Sequence, residues 1–308
     1  MHTKIEAIKQ ELAKVVVGQE EMVTGVLVGL FSGGHVLLEG VPGLAKTTTV
    51  KALGEVLDLK FKRIQFTPDL LPSDILGAEI YDPKSNSFRI KKGAIFTQLL
   101  LADEINRSPS KVQSALLEAM QERQVTLGDH SFELPSPFMV LATQNPLEQE
   151  GVFRLPEAQL DRFMMKVILT HNSEEEELEI MRRVAKRRMP KLGAVLSVDE
   201  IALITEEIAQ QVHVDNELER YIVALVRATR QDQTMLRYGA SPRASIDLYR
   251  ASKSYAYLRG KDFVTPVDII TMAYPVLRHR IGLSYEARSQ ELSSDDLLER
   301  IIDSVEIP

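Results

Sequence analysis

The stretch GVPGLAKTTT, residues 40–49, constrains the fold more than any other part of the chain. It directly follows HVLLE, residues 35–39, an apolar run with the length of a short buried strand. A strand, a glycine-rich turn and a helix that begins at Lys46 bring backbone N–H groups and a helix N-terminus to one point, which makes an anion site. The phosphate-loop pattern G-x-x-x-x-G-K-[ST] has a second glycine where this chain has Ala45. Taken alone, the stretch fits a phosphate site and an ordinary strand-to-helix turn equally well.

The alanine at position 45 is compatible with a phosphate loop if the loop needs its glycines elsewhere. Glycine is required where the chain turns with a positive φ or approaches a phosphate closely, and Gly40 and Gly43 remain for those roles. Ala45 comes at the start of the predicted helix, where alanine is favourable and right-handed backbone angles suffice. We therefore expect a negative φ at Ala45.

Further apolar runs in the first part of the chain predict the other strands of one sheet. These runs are residues 60–66, 97–102, 138–142 and 163–169. Helical patterns separate most of them, which predicts an α/β fold with a parallel sheet covered by helices on both faces. Two insertions, residues 78–93 and 124–134, have the turn residues of β-hairpins. Neither is needed to complete the sheet, so both are expected to project toward a partner or substrate.

The pattern changes after the segment MPKLGA, residues 189–194, which predicts a linker. From about residue 197 onward only helical patterns follow. The expected organisation is an αβα domain over residues 1–192 and a smaller all-helical domain over residues 193–308.

Composition narrows the classes of function. The 308 residues carry a formal net charge of -7 and no tryptophan, which argues against nucleic acid as the main partner. The absence of cysteine excludes disulfides, thiolate metal sites and cysteine nucleophiles, and it suits a reducing compartment. No apolar run approaches the ~20 residues that a membrane-spanning helix needs. We expect a cytoplasmic protein without a membrane span.

Two carboxylates, Asp103 and Glu104, directly follow the apolar residues 99–102, at the edge where open α/β sheets bind ligands. In a nucleotide site the first would hold Mg²⁺, and the second would orient or deprotonate the attacking water. Asn145 follows the strand predicted at 138–142 and could help to hold that water. Each feature has an ordinary alternative, because acids often cap the segment after a strand and an asparagine often opens an Asn-Pro turn.

Two arginines complete the set of candidates. Arg162 immediately precedes the last predicted strand, and Arg243 lies in the first turn of a helix that Ser241 is expected to cap. A cation in the first turn opposes the helix dipole unless an anion occupies the site. Taken singly, each arginine fits a surface salt bridge. The loop, the carboxylates, the asparagine and the arginines nevertheless occur in the order that a P-loop ATPase requires, and this joint pattern favours ATP hydrolysis.

Four strings carry a resemblance to a known family: GVPGLAKT, LLLADEINRSPSKVQSALLEAMQERQVT, LATQNPLEQEGVFRLPEAQLDRF and GASPRA. They resemble the MoxR branch of the AAA+ ATPases, and the resemblance covers nearly the whole chain. It implies an αβα P-loop domain followed by a helical lid, in subunits that assemble into rings, most often hexamers. The hairpins at 78–93 and 124–134 resemble the helix-2 insert and the pre-sensor-1 hairpin of the family. Ala45 is common in MoxR loops, so it departs from the general pattern but not from the family.

The resemblance implies a role in binding and hydrolysing MgATP for each candidate residue. Lys46 with Thr47 resembles the Walker A pair, Asp103 with Glu104 resembles Walker B, and Thr47 and Asp103 would ligate Mg²⁺. The implied catalytic residues are Glu104, Asn145 as sensor 1, Arg162 as the finger that reaches a neighbouring subunit, and Arg243 as sensor 2, acting in cis or in trans. The implied nucleotide-binding residues are Val17, Gly18, Gly40, Pro42, Gly43, Leu44, Ala45, Lys46, Thr47 and Thr48.

The resemblance also implies a chaperone-like output, in which the ring remodels or activates a client protein complex. In the family this often involves a von Willebrand factor A partner and sometimes the insertion of a metal cofactor. Two alternatives stay open. One is a magnesium-chelatase-like or nucleic-acid-motor ATPase of the same clade, and the acidic charge balance argues against the motor. The other is a nucleotide-binding scaffold with little hydrolysis, which the presence of Glu104 and Arg162 disfavours.

Overall fold

The computed structural model describes residues 2–84, 86–146, 153–185, 190–232 and 234–308. In chain order its strands are β1 (Val36–Glu39), β2 (Phe61–Gln65), β3 (Gly77–Asp82), β4 (Ser87–Lys92), β5 (Leu99–Asp103), β6 (Gln124–Leu127), β7 (His130–Glu133), β8 (Met139–Gln144), β9 (Met165–Ile168), β10 (Leu236–Tyr238) and β11 (Gly282–Leu283). Its helices before residue 190 are α1 (His2–Leu12), α2 (Glu20–Phe31), α3 (Lys46–Val56), α4 (Pro72–Leu76), α5 (Ser110–Glu122), α6 (Glu157–Leu160) and α7 (Glu174–Ala185). Those after it are α8 (Val198–Gln211), α9 (Asn216–Ala228), α10 (Pro242–Leu258), α11 (Pro266–Leu277), α12 (Tyr285–Ser289) and α13 (Ser294–Ser304).

The predicted parallel sheet is confirmed. Five strands pair in the order β2-β5-β8-β1-β9, and every pairing is parallel. Side chains alternate between the two faces of a strand, so Leu99 and Leu101 of β5 pack in one apolar cluster while Leu100 and Ala102 pack in another. Because both faces of the central strands are buried, these strands read as continuous apolar runs in the sequence.

Both predicted hairpins are present as separate two-stranded antiparallel sheets, β3 with β4 and β6 with β7. At the tip of the first, Tyr81 pairs with Phe88 across the strands, with the ring centroids 5.4 Å apart. Both rings are exposed, by 47% and 66%. The hairpin therefore presents an aromatic pair to solvent close to its turn.

The chain after residue 197 is helical, as predicted, with one addition. Residues Leu236–Tyr238 and Gly282–Leu283 form a short antiparallel ribbon. Its strands are too short to give a period-2 pattern, so sequence periodicity could not predict it. Helices α10 and α11 pack against each other, and they contact α2 and β9 respectively in the αβα domain. No helix in the described ranges is long and apolar enough to cross a bilayer.

The direction of the strands fixes where the candidate residues lie. All five strands of the sheet point the same way, so their carboxyl ends share one edge and their amino ends share the opposite edge. The phosphate loop after β1, Asp103 at the end of β5 and Asn145 after β8 lie at the carboxyl edge. Arg162, which precedes β9, lies at the amino edge.

Candidate nucleotide site

The phosphate loop joins β1 to α3. Its two glycines are required for different reasons, one for its backbone conformation and the other for close packing. Gly43 has a φ of 93°, and no heavy atom lies within 4 Å of the position that a Cβ would occupy there. Gly40 is packed closely instead, because an added Cβ would lie 2.9 Å from Leu169 Cβ and 3.1 Å from Leu44 Cδ1. The Lys46 ammonium folds back and donates a hydrogen bond to the Gly40 carbonyl at 2.6 Å. The loop therefore has an open side at Gly43 and a tight anchor at Gly40.

The expectation of a negative φ at Ala45 is wrong. Its φ is 54° and its ψ is 18°, in the left-handed region. Ala45 is the N-cap of α3 rather than part of its first turn, and its carbonyl accepts a hydrogen bond from the Thr49 N–H at 2.9 Å. An L-residue in this conformation costs roughly 1–2 kcal/mol. The Ala45 side chain is exposed, like that of the nearby Pro42, so the cost is confined to the backbone.

The first turn of α3 contains Lys46, Thr47 and Thr48 and no acidic residue. Partial burial lowers the pKa of Lys46, while the charges of Asp103 and Glu104 act in the opposite direction and raise it. The lysine is therefore close to both carboxylates across the loop. The structure brings the predicted Walker A and Walker B residues together at the carboxyl edge.

Both carboxylate oxygens of Asp103 accept hydrogen bonds. Oδ1 accepts a hydrogen bond from the Thr143 hydroxyl at 2.6 Å. Oδ2 accepts from Arg63, with Nη2 at 2.6 Å and Nε at 3.1 Å. Arg63 lies on β2, and the β2–β5 pairing aligns it with Leu101, two residues before Asp103. The aspartate is oriented by neighbours on both adjacent strands.

Glu104 is held in a specific backbone and side-chain arrangement. Its φ is 56°, a left-handed value uncommon for a non-glycine residue, and its N–H donates to Thr143 Oγ1 at 2.8 Å. Its Oε2 accepts a hydrogen bond from Gln65 Nε2 at 2.6 Å and lies 3.1 Å from Arg107 Nε. Strained backbone in a site of this kind is consistent with a functional constraint on where the carboxylate points.

Four of these residues were not among the sequence candidates, namely Arg63, Gln65, Arg107 and Thr143. Thr143 belongs to the run of amides and hydroxyls that ends β8, but only Asn145 was selected from it. Asn145 is buried, with 6% of its surface exposed, and it follows β8 directly beside the end of β5. A signal existed for the residues of β2, because polar side chains at positions 63 and 65 alternate with a partly buried Ile64 on a strand beside Asp103.

Val17 and Gly18 lie in a turn between α1 and α2 that is tied to the segment after β9. Gly18 has a φ of 67°, and an added Cβ would lie 2.5 Å from Asn172 Nδ2. The same amide nitrogen donates to the Val17 carbonyl at 3.1 Å. Leu169, three residues earlier, is the residue that packs on Gly40 of the phosphate loop. The turn and the loop are thus joined by one short segment, as a shared nucleotide site requires.

Arg162 and Arg243 lie away from these residues, at the amino edge of the sheet. Both line a cavity of about 220 Å³ together with Arg123, Arg250 and the buried His35, which precedes β1. Arg162 Nη1 donates to the Leu117 carbonyl at 2.9 Å. The four residues of β1 that separate this edge from the phosphate loop span ~13 Å. The structure therefore brings the two arginines to each other but not to Lys46.

Ser241 occupies the expected N-cap position of α10, but its side chain does not cap the helix as predicted. Its hydroxyl donates instead to the Asp161 carboxylate, at 2.9 Å and 3.0 Å from the two oxygens. Arg243 Nη1 lies 3.6 Å from Asp161 Oδ2. Asp161 supplies the negative charge that offsets the unfavourable position of Arg243 in the first turn.

The chain matches two family models. Residues 35–165 match the model described as ATPase family associated with various cellular activities (AAA), and residues 227–301 match the model of the AAA lid domain. The first match runs from the start of β1 to the start of β9, and the second covers most of the helical region after α8.

Relatives cover the full chain. The Mycobacterium tuberculosis protein named Chaperone MoxR1 is 46% identical, over 100% of this chain and 83% of its own length. The Protein MoxR of Methylorubrum extorquens is 29% identical, over 97% and 94%. A crystal structure of a Cytophaga hutchinsonii protein superposes with a TM-score of 0.93 at 49% identity, covering 100% of this chain and 96% of that one.

Proposed function

The chain belongs to the MoxR family of AAA+ ATPases, and from that premise we propose that it binds MgATP at the carboxyl edge of its sheet and hydrolyses it only within an assembly of identical subunits. One observation carries the proposal: the phosphate loop and the candidate arginines lie at opposite edges of the same sheet. A site assembled from the carboxyl edge of one subunit and the amino edge of the next would contain both.

The residues at the carboxyl edge fit a magnesium nucleotide. The hydroxyl of Thr47 and the carboxylate of Asp103 are oxygen ligands of the type that Mg²⁺ prefers, and the metal would neutralise phosphate charge. Lys46 and the N–H groups at the start of α3 offer positive charge to the β- and γ-phosphates, and Gly43 leaves the approach open. The remaining loop residues and the turn of Val17 and Gly18 would surround the rest of the nucleotide.

Glu104 is the proposed base or orienting group for the attacking water, with Asn145 as its helper. The Glu104 carboxylate is held by Gln65 and Arg107, so it would have to exchange at least one of these partners to reach a water at the γ-phosphate. Thr143 holds the peptide of Glu104 and the side chain of Asp103 at once, which fixes the two acids relative to each other.

Arg162 and Arg243 are both proposed to act on the neighbouring subunit's nucleotide. They line one cavity at the amino edge, so a geometry that presents one of them in trans presents the other too. An arginine finger is typically worth 10³–10⁵ in rate. An isolated subunit would therefore be nearly inactive. This arrangement needs a head-to-tail interface, which closes into a ring when the rotation permits; a hexamer is the ring expected from the family.

The proposed output is chaperone-like remodelling of a client protein complex. The exposed pair of Tyr81 and Phe88 on the β3–β4 hairpin supports this, because an exposed aromatic pair fits contact with a partner better than a role in the core. A von Willebrand factor A domain protein as partner, and metal cofactor insertion as one use, are proposals that rest on family membership.

Mixing two inactive variants tests the proposal. Glu104→Gln and Arg162→Ala should each bind ATP and form assemblies by light scattering, yet release almost no phosphate. In mixed assemblies an Arg162→Ala site can receive Arg162 from a Glu104→Gln neighbour, so roughly one site in four becomes complete at a 1:1 ratio. We expect phosphate release to reappear on mixing.

Two results would contradict the proposal. Mixed assemblies that stay inactive would exclude catalysis in trans by Arg162. Wild-type assemblies that bind ATP but release phosphate no faster than Glu104→Gln would indicate a nucleotide-binding scaffold instead.

A further inference from the structure

The guanidinium of Arg280, three residues after the end of α11, is almost completely buried, with 4% of the residue exposed. It contacts two carboxylates. Nη2 donates to Asp247 Oδ2 at 2.5 Å, and Nε lies 3.0 Å from Asp161 Oδ1. A buried cation between two acids from different parts of the chain is expensive to desolvate, and a purely structural role is often served as well by apolar residues. The position of this group therefore needs a further explanation.

The same guanidinium contacts the backbone carbonyls on both sides of Arg162. Nη2 lies 3.2 Å from the carbonyl oxygen of Asp161 and 2.8 Å from that of Phe163. His279 Nε2 adds a second contact to the Phe163 carbonyl at 2.9 Å. The residue proposed to reach the neighbour's nucleotide thus lies between two peptides that lid residues hold.

Arg280 is also linked to the helix that carries Arg243. Asp247 lies on α10 four residues after Arg243, so the two side chains share a face of the helix. Asp161, the second carboxylate partner of Arg280, accepts from Ser241 at the start of the same helix and lies 3.6 Å from Arg243. One guanidinium therefore connects the segment of Arg162 with the helix of Arg243.

We propose that Arg280 is a positioning residue for catalysis in trans, which fixes Arg162 and Arg243 relative to each other so that both are presented to the adjoining subunit as one unit. The inference rests on the proposed function. The planar guanidinium uses all three of its nitrogens: Nη2 donates to Asp247 and to both carbonyls, Nη1 donates to the Val276 carbonyl at 3.2 Å, and Nε lies in ionic contact with Asp161. A lysine in its place keeps the charge but has a single nitrogen without the fixed fork, so it loses the Nη1 and Nε contacts and the planar geometry that orients Nη2 between the two segments.

The test uses the full-length chain with Arg280→Lys. We expect an unchanged affinity for ATP, measured with a fluorescent ATP analogue, because the residue is remote from the phosphate loop. We expect kcat to fall about 10²-fold, the size of effect that a displacement of ~1 Å of catalytic groups produces. The matched control is Arg259→Lys, an arginine whose Nη1 lies 2.8 Å from the fully buried Asp268 within the lid and touches neither catalytic segment. It should keep the wild-type kcat.

The decisive measurement is rescue in mixed assemblies. Arg280→Lys has an intact nucleotide site, so Glu104→Gln neighbours should restore its phosphate release by supplying correctly held arginines. A merely structural defect would damage the variant's own site and would not be rescued. Loss of ATP binding by Arg280→Lys, or absence of rescue, would overturn the inference.

Two further measurements keep the inference separable from the proposed function and from misfolding. If Arg162→Ala is rescued by Glu104→Gln but Arg280→Lys is not, the positioning role is wrong and catalysis in trans stands. If neither is rescued, both fail. Should Arg280→Lys not fold by circular dichroism, Asp247→Asn removes one charge partner while keeping the shape. It should lower kcat less, with the same rescue, and a wild-type kcat in that variant would overturn the inference.

Discussion

The two edges of the sheet differ in how their charges are balanced. At the carboxyl edge, Asp103 and Glu104 have Arg63 and Arg107 as partners within the chain, and Lys46 lies near both acids. At the amino edge, four arginines and one aspartate line the cavity, and that aspartate already binds Arg280. An excess of cations around a concave surface raises the local concentration of anions. The acids of the carboxyl edge therefore have partners within the subunit, whereas the amino edge has an excess of arginines, which supports the proposal that it acts on an anion of a neighbouring subunit.

The largest expected effects come from one substitution at each edge of the sheet. The one at the carboxyl edge should remove ATP binding, and the one at the amino edge should remove catalysis. Lys46→Ala should abolish ATP binding, because it removes the cation of the phosphate loop. Arg162→Ala should leave ATP affinity at the wild-type level and lower kcat by ~10³- to 10⁵-fold, the typical worth of an arginine finger. Titration with a fluorescent ATP analogue and steady-state phosphate release measure the two quantities. If Arg162→Ala weakened ATP binding as strongly as Lys46→Ala, the division of roles between the edges would be wrong.

A smaller effect tests how rigidly the carboxyl edge is built. Thr143→Val keeps the shape of a side chain that is only 1% exposed, but it removes the hydroxyl that holds both acids. Leaving a buried hydrogen-bonding group without its partner costs about 1–3 kcal/mol. If about 1.4 kcal/mol of that is lost in the transition state, kcat falls tenfold.

The control for Thr143→Val is Thr205→Val, which removes a hydroxyl that donates to the Ile201 carbonyl at 2.9 Å within α8. It should keep the wild-type kcat. Equal kcat values for the two variants would show that Thr143 does not position the acids.

The same contrast explains what could be predicted from the sequence. The strands, the hairpins and the clustering of Lys46 with Asp103 follow from apolar periodicity and from the parallel direction of the strands, which are local or topological properties. The contacts of Arg63, Thr143 and Arg280 depend on which residues of distant segments become neighbours, such as Asp161 and Arg280, which are 119 positions apart in the sequence. No periodic pattern encodes such pairs. The roles of Asn145, Arg162 and Arg243 stay predictions, since their function depends on a second subunit or on the nucleotide.

The start of α3 at Lys46 is as predicted, but the expected backbone at Ala45 is wrong because a helical conformation was assigned to the residue that precedes the first turn. At an N-cap the preference of alanine for helices does not apply, and the conformation follows from the turn out of the loop. The error has a measurable consequence, since a left-handed alanine is a position where glycine is the less strained residue.

The smallest expected effect comes from Ala45→Gly. Removing the methyl relieves roughly 1–2 kcal/mol of backbone strain in the folded state. Glycine also raises the conformational entropy of the unfolded chain, which lowers stability by about 0.4–1 kcal/mol. We expect a net gain of up to about 1.6 kcal/mol in the free energy of unfolding, measured by urea denaturation. The matched control is Ala52→Gly in the interior of the same helix, where glycine should lower stability by about 1 kcal/mol. Opposite signs at the two alanines would confirm the left-handed cap, and a loss of stability at both would place Ala45 in the right-handed region that the sequence had predicted.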